Sequence, residues 1–135
     1  MRTWIALLVL TSAATVARAY SPETNYTLHC QGCHFADGTA SAGQVPALAG
    51  SVARFLRAPE GRAFLVRVPG VANAPLADAD LAALLDWTLR RFDAANLPAD
   101  FVPYTADEVH RLRAEPLVDV APARRRLLDG IERER

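Results

Sequence analysis

Cys30-Gln31-Gly32-Cys33-His34 is the stretch that decides how this chain folds, because its C-x-x-C-H spacing is that of covalent c-type haem attachment. Two thiols at this spacing lie about one helical turn apart, where both can add across the vinyl groups of one haem. The histidine beside the second thiol can reach the iron. We therefore expect Cys30 and Cys33 to anchor one haem c and His34 to be its proximal iron ligand.

A bare C-x-x-C has other uses. A redox disulfide is expected in a βαβ context, and the pattern of this chain is rich in helices instead. A structural zinc ion usually needs four nitrogen or sulfur ligands. Outside the motif the chain adds only His29 and His110. The disulfide, the zinc site and chance stay open as alternatives to haem.

The first 19 residues have the pattern of a secretory signal peptide. Arg2 supplies the positive start, residues 4–10 are apolar, and Ala17-Arg18-Ala19 forms a cleavage site before Tyr20. The apolar run is far shorter than the roughly 20 residues needed to span a bilayer. The sequence therefore predicts a soluble, exported, periplasmic protein with no membrane span after cleavage.

Length and charge indicate the size of the fold and exclude one class of function. At 135 residues the chain is long enough for one domain, and many of its apolar residues are small alanines, so a haem would form part of the core. Basic and acidic residues number 15 each, and removal of the leader with Arg2 and Arg18 leaves 13 basic against 15 acidic. A nucleic-acid-binding protein would normally show a basic excess.

Several helices are predicted along the chain. Ser21-Pro22-Glu23 is a typical helix start, and the helix is expected to run into the motif with Tyr26, Cys30 and Cys33 on one face. Residues 35–50 form a loop whose apolar part, 45–48, is placed against the porphyrin. Two short helices follow at 51–58 and 61–68. After a loop at 71–76, Asp78 is expected to cap a longer helix over 79–92.

Four arginines, at positions 54, 57, 62 and 67, accompany the two short helices. A solvated helix face explains them most simply. The alternative is that they contact the haem propionates, which arginine can bind in a bidentate way.

Residues 21–92 resemble the class I, single-haem c-type cytochromes: an aromatic precedes C-x-x-C-H by four residues, and a Gly/Pro-rich loop, short helices and an acidic-capped helix follow. The resemblance implies a mostly α-helical fold with a cytochrome domain at 20–92. Its terminal helices would cross near the haem, placing Tyr26 near Leu85 and Trp87. It also implies that the carbonyl of Pro46 holds the proximal histidine.

The chain departs from this family on the other face of the iron. Class I members generally supply a methionine there, but the sole methionine is Met1, inside the predicted leader. In the corresponding loop, 68–76, only Asn73 has donor atoms, either as a weak ligand or as an ordinary turn residue. His110 is the other candidate distal ligand, whereas His29 lies too close to Cys30 to reach that face.

The segment 93–135 is not explained by the family. Thr105-Ala106-Asp107-Glu108 predicts a capped helix to about Ala114. A charged helix is predicted from residue 121 onward, with Leu127, Leu128 and Ile131 on one side. This segment is expected to wrap the core or, alternatively, to dock a partner, and its run Arg124-Arg125-Arg126 to be solvated.

Together these features predict an exported single-electron carrier without enzymatic activity. The resemblance implies periplasmic redox partners, such as a dehydrogenase, an oxidase or a membrane electron-transfer complex, and haem attachment by the c-type cytochrome maturation machinery. Two alternatives remain. One is a high-spin haem protein that binds O2, NO, CO or peroxide at an open sixth position. The other is a cytochrome subunit of a periplasmic dehydrogenase or oxidase.

Overall fold

The computed structural model describes residues 20–133, with the exception of residue 44. Within this part of the chain there is no β-strand, only one isolated antiparallel bridge between His34 and Ala40. The predicted signal peptide, residues 1–19, lies outside the described residues. No helix of the described part is long and apolar enough to cross a membrane.

The mostly helical fold predicted from the sequence is confirmed. In chain order the described elements are α1 (Pro22–His29), a first 3-10 helix (Val52–Arg57), α2 (Gly61–Arg67), α3 (Pro69–Ala72), α4 (Asp78–Asp93), a second 3-10 helix (Ala94–Asn96), α5 (Ala106–Arg113) and α6 (Val120–Arg133). The single turn α3 occupies the start of a stretch predicted to be loop.

Helix α1 begins as predicted but ends earlier. The Ser21 hydroxyl accepts a hydrogen bond of 3.1 Å from the amide of Thr24, and Pro22 follows in the first turn. The helix ends at His29, and the haem motif continues as turns in which the amides of Cys33 and His34 both donate to the carbonyl of Cys30. Gly32, a poor helix former, falls inside these turns.

Helix α4 is one residue longer at each end than predicted, and its predicted cap is wrong. The helix starts at Asp78 itself, and Ala77 occupies the capping position without a side-chain hydrogen bond. The Asp78 carboxylate is used elsewhere, because it accepts a hydrogen bond of 3.0 Å from Arg113 and lies 2.9 Å from His110.

One continuous core unites these elements. Helix α1 packs on α4, α5 packs on α4 and α2, and α6 packs over the first 3-10 helix and α2. Buried members of the core come from both the first and the last parts of the chain, among them Tyr26, Leu81, Leu89, Tyr104 and Val109. The segment after α4 therefore contributes to the same core as the segment before it.

Candidate functional site

A cavity of about 460 Å³ lies between the end of α1, the loops that follow it and helix α4. Its volume falls in the range of about 300–1,000 Å³ that is usual for small-molecule and cofactor sites. Most of its walls are aliphatic or aromatic side chains. Cys30, Cys33 and His34 all line it, so the turn after α1 places both thiols and one imidazole at the same cavity.

Burial sets the protonation of these groups. Desolvation raises the pKa of the Cys30 thiol, which is half-buried, while Cys33 is exposed at the rim. Burial also lowers the pKa of His34, so its imidazole is neutral at pH 7, the form that binds a metal. Its Nδ1 atom is buried and has no hydrogen-bond partner among the described residues.

These residues fit a covalently attached haem. The cavity is apolar and large enough for a flat cofactor, and two free thiols and the imidazole of His34 open onto it. A zinc site has less support, since among the described residues no three His, Cys, Asp or Glu side chains are arranged so that they could hold one metal ion.

An aromatic cluster holds the motif in place. The ring centroid of Tyr26 lies 5.4 Å from that of Trp87 and 5.0 Å from that of Phe92. The Tyr26 hydroxyl donates a hydrogen bond of 2.7 Å to the carbonyl of Phe35, directly after the motif. Burial raises the pKa of Tyr26 to about 12, so the hydroxyl keeps its proton. Tyr26 thus lies beside α4, in the region that includes Trp87.

The loop after the motif supplies another wall. Residues 45–48 line the cavity, Pro46 among them. The amides of Leu48 and Ala49 donate to the carbonyl of Gly38, which holds the loop back toward the motif. The structure contains no hydrogen bond between the Pro46 carbonyl and His34 Nδ1.

The two candidate distal ligands lie outside the cavity lining. Asn73 is exposed and ends the α3 turn. His110 has a side chain that is 76% exposed, and its Nδ1 lies 2.9 Å from Asp78 on the protein surface. His29 does line the cavity, at the end of α1. The structure therefore brings His34 and His29 to the site and leaves Asn73 and His110 away from it.

The loop 68–76 is fastened by a residue that the sequence did not single out. The guanidinium of Arg113, on α5, donates to the carbonyls of Ala72, Ala74 and Leu76 over 2.5–3.0 Å. Its side chain is only 18% exposed. No sequence signal points to such a contact, because any backbone carbonyl can accept.

The cavity also receives an arginine, but none of the four for which contact with the haem propionates was the alternative. Arg124 of α6 lines the cavity, with its guanidinium carbon 5.8 Å from the Phe55 ring centroid. Arg57, Arg62 and Arg67 instead bond to protein groups away from the cavity. The sequence pattern that could have indicated this position of Arg124 is its helical spacing from apolar residues. It falls on the same face of α6 as Val120, Leu127 and Ile131.

Two thiols and a half-buried imidazole around one apolar cavity of a helical protein are the features expected of a protein that binds haem covalently. No family model matches the chain. It is, however, 32% identical over 134 residues to a cytochrome c-552 of Thermus thermophilus, a match that covers 86% of this chain and 88% of that protein. A second Thermus thermophilus cytochrome c-552 is 34% identical over 106 residues, covering 65% of this chain and 81% of that protein.

The chain belongs to the c-type cytochromes. Its cofactor is accordingly covalently bound haem c, for which Cys30 and Cys33 are the two cysteines of the sequence.

Proposed function

We propose that this cytochrome is a class I-like, exported single-electron carrier whose haem is held by Cys30 and Cys33 and ligated by His34. The observation that carries the proposal is the convergence of two thiols and a neutral imidazole on one apolar cavity. When bound, haem c supplies a reversible one-electron redox centre. The protein residues hold the haem, keep water away from it and set its potential.

Each neighbouring residue has a proposed part in holding the haem. Tyr26 fixes the turn after the motif through its bond to the Phe35 carbonyl, and Pro46 forms part of the wall. Arg124 has no carboxylate partner among the described ion pairs and lies at an apolar cavity, so it suits the haem propionates.

The surface around the motif supports an electron-transfer role. Cys33 and Pro46 are exposed, and the stretches 30–36 and 45–47 carry no Asp, Glu or Arg. A partner could approach this rim without desolvating charged side chains. We propose that the partners are periplasmic redox proteins, reached after export and removal of residues 1–19.

A redox titration of the purified holoprotein, followed by its absorption spectrum, tests the proposal. We expect a reversible transition that follows a one-electron Nernst curve. Its midpoint should lie below that of a methionine-ligated cytochrome, since methionine ligation raises the potential. An irreversible change, or one that requires two electrons, would count against an electron carrier. Amino-terminal sequencing of the exported protein should begin at Tyr20.

A further inference from the structure

The cavity carries its iron-binding side chains on a single segment. Haem iron is bound in proteins by His, Cys, Met or Tyr. Of the described residues that line the cavity, five belong to these types, and all lie between positions 26 and 34: Tyr26, His29, Cys30, Cys33 and His34. If this segment anchors and ligates a haem, the other described residues that line the cavity offer no side chain of these types to the iron.

The loop 68–74 and the first two turns of α4 line the cavity with aliphatic side chains only. Val68, Val71, Ala74, Leu81 and Leu85 belong to this wall, which we call the aliphatic wall. None of them has an atom that can ligate iron or donate a hydrogen bond.

The aliphatic wall is held in one arrangement. Arg113 binds the carbonyls of Ala72, Ala74 and Leu76 and also the carboxylate of Asp78. These carbonyls are therefore already engaged. The same contacts oppose a movement of the loop that would bring Asn73 into the cavity.

We propose that the aliphatic wall faces the second axial position of the haem iron and makes it a binding site for small neutral diatomic ligands, CO and NO. Anions such as fluoride are disfavoured at this wall, because its side chains offer no partner to a buried charge, and Arg124 and Thr88, which also line the cavity, do not belong to it. The inference rests on the proposed haem attachment at Cys30 and Cys33, and it goes beyond electron transfer.

The test is a CO titration of the reduced holoprotein, followed by its absorption spectrum, with haem attachment established beforehand by the pyridine haemochrome. We expect a saturable shift of the Soret band with CO and no change of the oxidised spectrum with fluoride. If the haem is attached and CO leaves the spectrum unchanged, the ligand site is refuted while the haem assignment stands. Tight fluoride binding would refute the preference for neutral ligands.

Two matched substitutions locate the site. Val71→Phe places a ring on the aliphatic wall and should weaken CO binding by about tenfold or more, since the packed wall cannot expand freely. Val118→Phe, at a fully exposed position, should leave CO binding unchanged. If Val71→Phe does not fold, Val71→Ala should speed CO association several-fold by widening the site. CO binding that none of the folded Val71 variants alters would overturn the assignment to this wall.

Discussion

The hydroxyl of Tyr26 donates a hydrogen bond of 2.7 Å to the carbonyl oxygen of Phe35, and so links the middle of α1 to the residue that follows the haem motif. The motif lies between these two residues and is not itself helical. Its geometry therefore depends on this bond together with the packing of Tyr26 against Trp87 and Phe92.

Replacing Tyr26 by Phe should lower the free energy of unfolding by about 1 kcal/mol, because it removes one hydrogen bond and leaves the Phe35 carbonyl without its partner. The ring packing is kept. Urea denaturation of the holoprotein measures the effect. Tyr20→Phe is the matched control, since Tyr20 is 66% exposed. Equal stability of the two variants would show that the bond contributes nothing.

Arg113 should be the most important arginine for stability. Arg113→Ala leaves three loop carbonyls and the Asp78 carboxylate without their donor, so we expect a loss of about 1.5–3 kcal/mol, as for hydrogen bonds to charged groups. Hydrogen exchange should quicken across residues 71–76. Arg111→Ala, two positions away on α5 and with a single long bond of 3.3 Å to Asp107, should change little. The prediction is wrong if both variants behave alike.

The pair Arg62–Glu108 should make stability depend on acid pH. Arg62 donates to both carboxylate oxygens of Glu108, at 2.5 and 2.7 Å, and thereby joins α2 to α5 and lowers the pKa of Glu108. A carboxyl whose pKa is lower in the folded state stabilises the fold above its ordinary pKa of about 4.3. That contribution is lost as the pH falls through the lowered value.

Glu108→Gln should therefore cost about 1 kcal/mol at pH 7, and the difference from the unsubstituted protein should shrink in acid and vanish once the pH has fallen through the lowered pKa of Glu108. Denaturant titrations at several pH values measure it. Asp107→Asn serves as control, because Asp107 is the exposed neighbour in the same helical turn. A difference that persists unchanged in acid would contradict the ion-pair explanation.

Replacing Gly61 and Gly130 by alanine should change the stability of the protein in opposite directions. A Cβ atom on Gly61 would lie 1.7 Å from the carbonyl oxygen of Phe55, so α2 can approach the first 3-10 helix only without a side chain there. Gly61→Ala should destabilise by several kcal/mol. A Cβ atom on Gly130, inside α6, would meet open space, and Gly130→Ala should stabilise by up to about 1 kcal/mol. Thermal denaturation distinguishes destabilisation from stabilisation. If Gly61→Ala left the stability unchanged, the backbone of α2 would not lie as close to the Phe55 carbonyl as described.

Sequence patterns predicted the helices well where periodicity and capping residues are local. The Ser21 and Thr105 caps form as expected, the latter accepting from the amide of Glu108. They failed where a side chain has a distant partner. Asp78 was expected to cap α4, but its carboxylate instead contacts Arg113 and His110, which both lie on α5. The role of Arg113 was not foreseeable, because its acceptors are backbone carbonyls 37–41 residues away.

The residues of the site likewise fall into those that a local pattern predicts and those that only the folded structure brings together. C-x-x-C-H identified the thiols and the imidazole from five consecutive residues. The expectation that the run Arg124-Arg125-Arg126 is solvated is wrong for Arg124, which lines the cavity, because only the position on the helical face distinguishes one arginine of the run from another. Which residues form the wall around a cavity depends on the packing of α3, α4 and α6, and this is not encoded in any local pattern.

Intact-mass spectrometry of the exported protein, together with its pyridine haemochrome, tests the central claim most directly. We predict that the unsubstituted chain carries the added mass of one haem and gives a c-type haemochrome spectrum, and that the Cys30→Ser, Cys33→Ser chain carries neither. A mature chain without the added mass, or a doubly substituted chain that still holds haem and behaves as the unsubstituted protein does, would contradict the account.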